Sequence, residues 1–492
     1  MLQRGLLIGI ALAVLALTLL AAHWRPLWYD ELFTFYVARQ PTAIGTVQAL
    51  LAGADTNPPL DYLLRHAAMA LLGASSAAFR LPSALAFIAG LLATYAFVRR
   101  RVPFIPAVMA LLLPVATAAV YFAYEGRAYA LLFASGTIAL LAWQRAIERP
   151  ADRLRLATLT LALCIGPFSH YYGVLSLVPP VLGEASRTWS RRRADPGIIV
   201  AFAAAALLMA LLLPFARTAT SMQAAFWAAR FSLADAYQYF TGFLQYAGSS
   251  AVIVLVAALA LVPLALRRST RASMRVDVPV HELVAAITLA YIPLFAFLLG
   301  RLVTGALTTR YAIAFVPGLA ILAAWLFAMV QPTARTAVLI LVAFLAGSSL
   351  WHLGSAALAF RGTEPIPSVI RSELARSSLP VAFDSPHLYL EYVHYAPELA
   401  ATRFVYPMDA AIAARLRGSN NDEIALRGLS QIVPLRVVDY GDFARHCPEF
   451  LALYSTIFAP ALVLQLKADG FCEREILRSG HAVLLHVEFG CR

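Results

Sequence analysis

The chain has 492 residues, of which 61% are hydrophobic and only 13% charged, with a formal net charge of +12. An ordinary soluble domain is about half apolar and about a quarter charged. These figures exclude a soluble enzyme, a disordered chain and a nucleic-acid binder, and point to a polytopic membrane protein. Lys467 is the only lysine, so the cationic side chains are almost all arginines, a bias that fits a GC-rich bacterial genome. They cluster between apolar runs, where they read as topology signals rather than as a polyanion site.

Residues 5–22 form an apolar run behind Arg4. No small-x-small cleavage site follows it, so it is read as a first membrane helix with its N-terminus inside. In the loop that follows, residues 32–53 and 60–73 are apolar but interrupted by Arg39, Arg65 and His66. They predict amphipathic helices lying in the membrane interface, with Asn57-Pro58-Pro59 breaking the chain between them.

Apolar runs then recur near 81–98, 103–121, 128–143, 156–169, 171–183, 197–215, 248–266, 283–299, 311–330 and 335–353. Reading 156–183 as two short spans places Arg99–Arg101, Arg145–Arg155, Arg191–Arg193, Arg267–Arg275 and Arg335 all on the inner side. The expectation is a polytopic α-helical protein of about eleven spans, most of them near the ~20 residues a bilayer requires and the pair at 156–183 shorter. The N-terminus is then cytoplasmic, and residues 1–353 form the transmembrane domain.

The tail, residues 354–492, is less apolar and carries turn residues. Short β-like runs at 381–383, 403–406, 435–438 and 482–487 alternate with helix-like stretches at 408–417 and 422–431. That pattern predicts a small α/β domain on the outer side. No glycine-rich phosphate loop accompanies it. Of Cys447, Cys472 and Cys491 at most two can pair within the chain, and one disulfide is expected if this domain faces an oxidising compartment. Cys164, in an apolar run, reads as a buried thiol.

Charged groups stand out where charge is costly. Asp30-Glu31 follows Trp24, Trp28 and Tyr29, directly after the first helix. Local chemistry makes them helix-start residues; the functional reading is a carboxylate that deprotonates a nucleophile or holds a divalent cation. Tyr124-Glu125-Gly126-Arg127-Ala128-Tyr129 fills the shortest outer turn. Glu125 and Arg127 either close that turn as a local pair or supply a guanidinium fork for an oxyanion. Arg310, preceded by Arg301, begins a span at the positive end of its dipole, where a bound phosphate is more favourable than an arginine alone. His170-Tyr171-Tyr172 lies at an outer tip, and Asp55 and Asp61 flank Asn57-Pro58-Pro59. Together these carboxylates and arginines suit a substrate with a lipid tail and an anionic headgroup.

Trp28-Tyr29-Asp30-Glu31, Asn57-Pro58-Pro59-Leu60-Asp61-Tyr62, Arg80-Leu81-Pro82-Ser83, Glu125-Gly126-Arg127-Ala128-Tyr129, His170-Tyr171-Tyr172 and Arg310-Tyr311 to Pro317 come in this order. Over residues 1–353 the sequence resembles the GT-C membrane glycosyltransferases, nearest the protein-mannosyltransferase-like and aminoarabinose-transferase-like bacterial branch. It departs from their pattern at Asn57, often a histidine, and at Ala128, often a proline.

The resemblance implies inverting transfer of a sugar from a polyprenyl-phosphate donor to a glycolipid, glycan or protein on the periplasmic face of the bacterial inner membrane. Asp30, or Glu31 in its stead, would be the catalytic base. Arg127, Arg310, Tyr129 and Arg301 would bind the donor phosphate, and Glu125, His170, Tyr171, Asn57 and Asp61 would contact substrate. A divalent metal, if one takes part, would fall to Asp30, Glu31 and His170. A transporter, flippase or ligase for lipid-linked sugars is the alternative.

Overall fold

The computed structural model describes residues 1–222, 232–244, 250–260, 277–418, 420–457 and 459–490. The Arg267–Arg275 cluster, part of the expected span at 248–266 and Cys491 lie outside them. The chain forms two compact units, and the boundary is not the single cut near residue 353 that composition suggests. The first unit comprises Met1–Trp24, Asn57–Leu213 and the described part of Ala229–Arg361. The second joins Arg25–Thr56, the described part of Pro214–Ala228 and the tail from Gly362.

The first unit is helical. Four of its described helices are long and apolar enough to cross a membrane: Leu2–Trp24 (α1), Ser76–Arg99, Pro196–Thr220, whose last turns belong to the second unit, and Thr336–Phe360. Two more candidates are bent pairs, Phe104–Ala116 with Ala118–Tyr124 at 75° and Val280–Ala290 with Ile292–Thr304 at 54°. The eleven spans of the arginine argument remain an expectation. One difference is that runs 311–330 and 335–353 belong to one continuous helix, Phe315–Phe360, of 46 residues. Leu6, Ile8 and Leu12 are exposed around α1, apolar surface that suits lipid rather than water.

Small residues set the packing. Helix Ser76–Arg99 lies against Tyr129–Ala146, and a Cβ on Gly90 would come within 2.9 Å of the Ala134 Cα. The 3-10 segment Tyr171–Leu177 folds back on helix Arg153–Ser169, where a Cβ on Gly173 would stand 2.0 Å from the Gly166 backbone. That glycine pair fixes where His170 and Tyr172 sit.

In the second unit the expected interfacial stretch 32–53 is two helices, Tyr29–Ala38 (α2) and Ala43–Leu51 (α3). The chain breaks at Gln40-Pro41, and Thr42 caps α3 by accepting from the Gly45 amide at 3.0 Å. The other expected interfacial helix, Leu60–Leu72 (α4), belongs to the first unit, as does Ser76–Arg99 (α5).

The tail is the α/β domain expected, with a six-stranded sheet of order β3-β2-β1-β4-β6-β5. The strands are β1 (Val381–Phe383), β2 (Phe404–Met408), β3 (Val437–Asp439), β4 (Glu449–Ser455), β5 (Phe471–Ser479) and β6 (Ala482–Phe489). The first four run parallel; β4 and β5 each pair antiparallel with β6. Val381, Phe383, Phe404, Leu451 and Leu453 build the core on one face. Asp384, at the end of β1, sits over the start of helix Ala461–Ala468 and accepts from the Leu462 amide at 2.5 Å. Arg417 ties Asp384 to Glu423. The position where such folds hold a phosphate is thus taken by the chain's own carboxylate. Cys472 is disulfide-bonded, while Cys447 and Cys164 are free thiols.

Candidate functional site

In the first unit the turns between helices bring cationic and aromatic groups together. His170 is 5% exposed and caps the 3-10 segment from the preceding position. Its Nδ1 accepts from the Tyr172 amide at 3.1 Å, which puts the ring proton on Nε2. Tyr311 lies 4.7 Å from the His170 ring and 4.6 Å from Tyr172, and Tyr129 lies 5.7 Å from His170. Tyr172 is locked by its hydroxyl to Thr304 Oγ1 at 2.7 Å and to the Ala306 carbonyl. Arg310 stacks over the Tyr129 ring at 5.1 Å. Burial, and then the positive charges of Arg127 and Arg310, push His170 down to about 3, so it stays neutral. Arg310 and the His170 imidazole thus share Tyr129 as a neighbour.

The turn that carries Arg127 is built from below. Glu125 is 1% exposed, Arg127 is half-buried, and the Arg127 amide donates back to the Glu125 carbonyl at 2.9 Å. Gly126 is required by space: a Cβ there would fall 2.1 Å from the Phe79 ring.

Of the remaining expected residues in this unit, Tyr171 is half-buried at the start of the 3-10 segment and Asn57 is half-buried at the Pro58-Pro59 entry to α4. Arg301 is exposed on the π-helical turn Gly300–Thr304 beside exposed Leu302 and Val303, a setting that suits a side chain snorkelling from an apolar surface. Asp61 is 2% exposed and gives both carboxylate oxygens to Arg65, at 2.8 Å each.

In the second unit α2 presents Asp30 and Glu31 differently. Asp30 is partly exposed. Glu31 is fully buried; its carboxylate accepts from the Trp28 amide at 3.4 Å and lies 3.7 Å from Arg25. The helix-start reading therefore fits Glu31. Helix Pro386–Tyr395 holds α2 in place. Glu391 accepts from the Tyr29 amide at 3.2 Å, and Tyr29 stacks on His387 at 3.8 Å. Tyr36 is bonded to His394 Nδ1 at 3.1 Å, and the Tyr395 hydroxyl accepts from the Leu27 amide at 2.5 Å. Burial, then the nearby charge of Arg39, pushes His394 down to about 4. Burial also raises the Glu391 carboxyl above its usual range.

Sequence reasoning missed these tail residues, and it missed Arg65 and Ser83. The sequence signals were Asp61 and Arg65 at helical i,i+4 spacing on an otherwise apolar stretch, and Ser83 within the Arg80-Leu81-Pro82-Ser83 motif, to which no role was given. No group of three or more His, Cys, Asp or Glu able to hold a metal exists among the described residues.

No protein-family model and no curated protein matches the chain. Solved structures do. ArnT from Cupriavidus metallidurans bound to undecaprenyl phosphate is similar at a TM-score of 0.63 and 15% identity, covering 98% of this chain and 98% of that one. The apo form of that ArnT gives 0.64 and 13%, covering 99% and 98%. An Archaeoglobus fulgidus oligosaccharyltransferase in complex with Zn and sulfate gives 0.50 and 13%, covering 91% of this chain and 67% of that one. At 13–15% identity these likenesses show the fold: the chain shares the architecture of these structures, the polytopic helical fold with a small C-terminal sheet that the sequence led one to expect.

Proposed function

We propose that this chain is an inverting glycosyltransferase that moves a sugar from a polyprenyl-phosphate donor to an acceptor on the outer face of the bacterial inner membrane. The observation that carries the reading is Arg310 stacked on Tyr129 beside the buried His170 and Tyr311, with Arg127 on the turn that leads into the Tyr129 helix. The fold likeness to an ArnT bound to undecaprenyl phosphate, end to end in both chains, supports the donor class.

The chemistry asks for these groups. An acceptor hydroxyl or amine attacks the anomeric carbon from the face opposite the phosphate. The carbon–oxygen bond to phosphate breaks, and the phosphodiester, with one negative charge, leaves as a monoester approaching two. Guanidiniums held in a low-dielectric setting stabilise the charge that develops, and need no proton to do so. Neutral His170 supplies shape and a hydrogen-bond donor rather than a proton.

Asp30 is the general base. It is accessible, whereas Glu31 is committed to Arg25 and the start of α2. Such a base typically contributes about 10²–10⁴-fold. The disulfide at Cys472 supports an oxidising compartment for the tail, hence a periplasmic one. The acceptor is a glycolipid, glycan or protein.

Binding of undecaprenyl phosphate to the purified full chain tests the donor reading. Arg127→Ala and Arg310→Ala should each weaken it, by roughly tenfold for a charge-assisted contact. Unchanged binding in both would remove the phosphate assignment.

A further inference from the structure

Arg65 belongs to none of the roles above, yet it is a fully buried arginine, 0% exposed, in the first unit. Its Nε and Nη2 donate to Asp61 Oδ2 and Oδ1, both at 2.8 Å. Nη1 donates to the Phe79 carbonyl at 2.7 Å, and the guanidinium lies 5.0 Å from the Phe79 ring centre. Nη2 also donates to Ser83 Oγ at 2.8 Å and to the Arg127 carbonyl at 3.0 Å. Ser83 passes the contact on, its hydroxyl donating to the Glu125 carbonyl at 2.6 Å.

We propose that Arg65 is a positioning residue: with Ser83 it pins the carbonyls of Glu125 and Arg127, and so sets the turn from which Arg127 acts. This deepens the phosphate assignment of Arg127 and rests on it. Three features single out positioning over ligation. Asp61 neutralises the Arg65 charge through both of its oxygens, so Arg65 is a poor attractor for a second anion, and Asp61 belongs to this pair rather than to substrate. A buried ion pair adds little net stability over an apolar filling, so its presence here is better explained by the geometry it imposes. A planar fork can bind one carboxylate side-on while reaching a hydroxyl and two carbonyls, and a lysine ammonium cannot reproduce that arrangement. Phe79 closes the device: its carbonyl is held by Arg65, and its ring leaves room at Gly126 for no side chain.

The test uses the full chain in lipid nanodiscs with Arg65→Lys, Ser83→Ala, Arg127→Ala and the double variant R65K/R127A. Two readouts are taken: affinity for undecaprenyl phosphate, and backbone hydrogen exchange of the segment 121–131. Arg65→Lys should weaken affinity roughly tenfold, the scale of a lost hydrogen bond to a charged group. The double variant should bind no more weakly than R127A alone, because the two residues act in series. Exchange in 121–131 should accelerate in R65K, and less so in S83A, while exchange in 153–169 stays unchanged. Additive losses in affinity, unaltered exchange in the turn, or acceleration spread over the whole unit would each overturn the proposal. Wild-type affinity in R127A would instead defeat the phosphate reading, and the exchange data would then decide the role of Arg65 by themselves.

Discussion

Gly126→Ala is the sharpest steric probe of the Arg127 turn. The added Cβ would lie 2.1, 2.7 and 2.9 Å from three atoms of the Phe79 ring. Carbon atoms in contact sit about 3.5–4.0 Å apart, so the overlap exceeds what small adjustments absorb. Phe79 is 0% exposed, so its ring has no open space to swing into, and its backbone is held by Arg65 at the carbonyl. Overpacking of this kind costs about 1–3 kcal/mol, and here the strain falls on the segment that aims Arg127. Transfer, read as sugar released from a labelled polyprenyl-phosphate donor, should fall by roughly tenfold for each ~1.4 kcal/mol that reaches the transition state. Gly9→Ala and Gly347→Ala are the controls, since nothing lies within 4 Å of a Cβ at either position. Phe79→Leu removes the ring and should partly rescue Gly126→Ala. If Gly126→Ala is as mild as Gly9→Ala, or if Phe79→Leu and Gly126→Ala add without rescue, the account of this turn is wrong.

Other outcomes follow from the same contacts. Asp30→Asn should reduce transfer about 10²–10⁴-fold with little change in thermal stability. Glu31→Gln should instead lower stability by about 1–3 kcal/mol, because it leaves buried Arg25 without its carboxylate; the unfolding midpoint checks this. Gly173→Ala should disrupt the His170 segment, because its Cβ would meet the Gly166 backbone at 2.0 Å, and reduced undecaprenyl phosphate binding would register it. For His394 the folded value is about 4, below the ordinary 6.5. The unfolded chain therefore binds the proton first as pH falls, and its contribution to stability, complete above pH 6.5, is lost between about 6.5 and 4. Melting curves of His394→Asn against wild type should show a shallower acid dependence over that window.

How much of this was legible in the sequence differs between parts. The membrane class, the helices of the first loop, and strands β1, β2, β3 and β6 follow from local pattern alone. Strands β4 and β5 were not foreseen. Glu449–Ser455 is buried along nearly its whole length and lacks alternation, while Phe471–Ser479 is an edge strand rich in charge. The motifs also pointed to His170, Tyr311 and the two arginines, because ionisable groups beside apolar runs are conspicuous. Arg65 was not legible as a keystone. Beyond Asp61, its partners are two main-chain carbonyls and a serine spread over residues 79–127, and no spacing rule reports carbonyl positions. The grouping of α2 with the tail was hidden for the same reason. It depends on Tyr29, Tyr36 and Leu27 meeting Glu391, His394 and Tyr395, more than 350 residues away.

The most direct test of the central claim is to delete the gene and compare surface glycolipids, glycans and glycoproteins by mass spectrometry. The deletion is complemented with wild type, Asp30→Asn and Arg127→Ala at equal protein levels. The account predicts that one discrete sugar mass disappears, that wild type restores it, and that neither variant does. Restoration by both variants would contradict the assignment of the base and the phosphate ligand, and would favour a protein that moves lipid-linked sugars without transferring them.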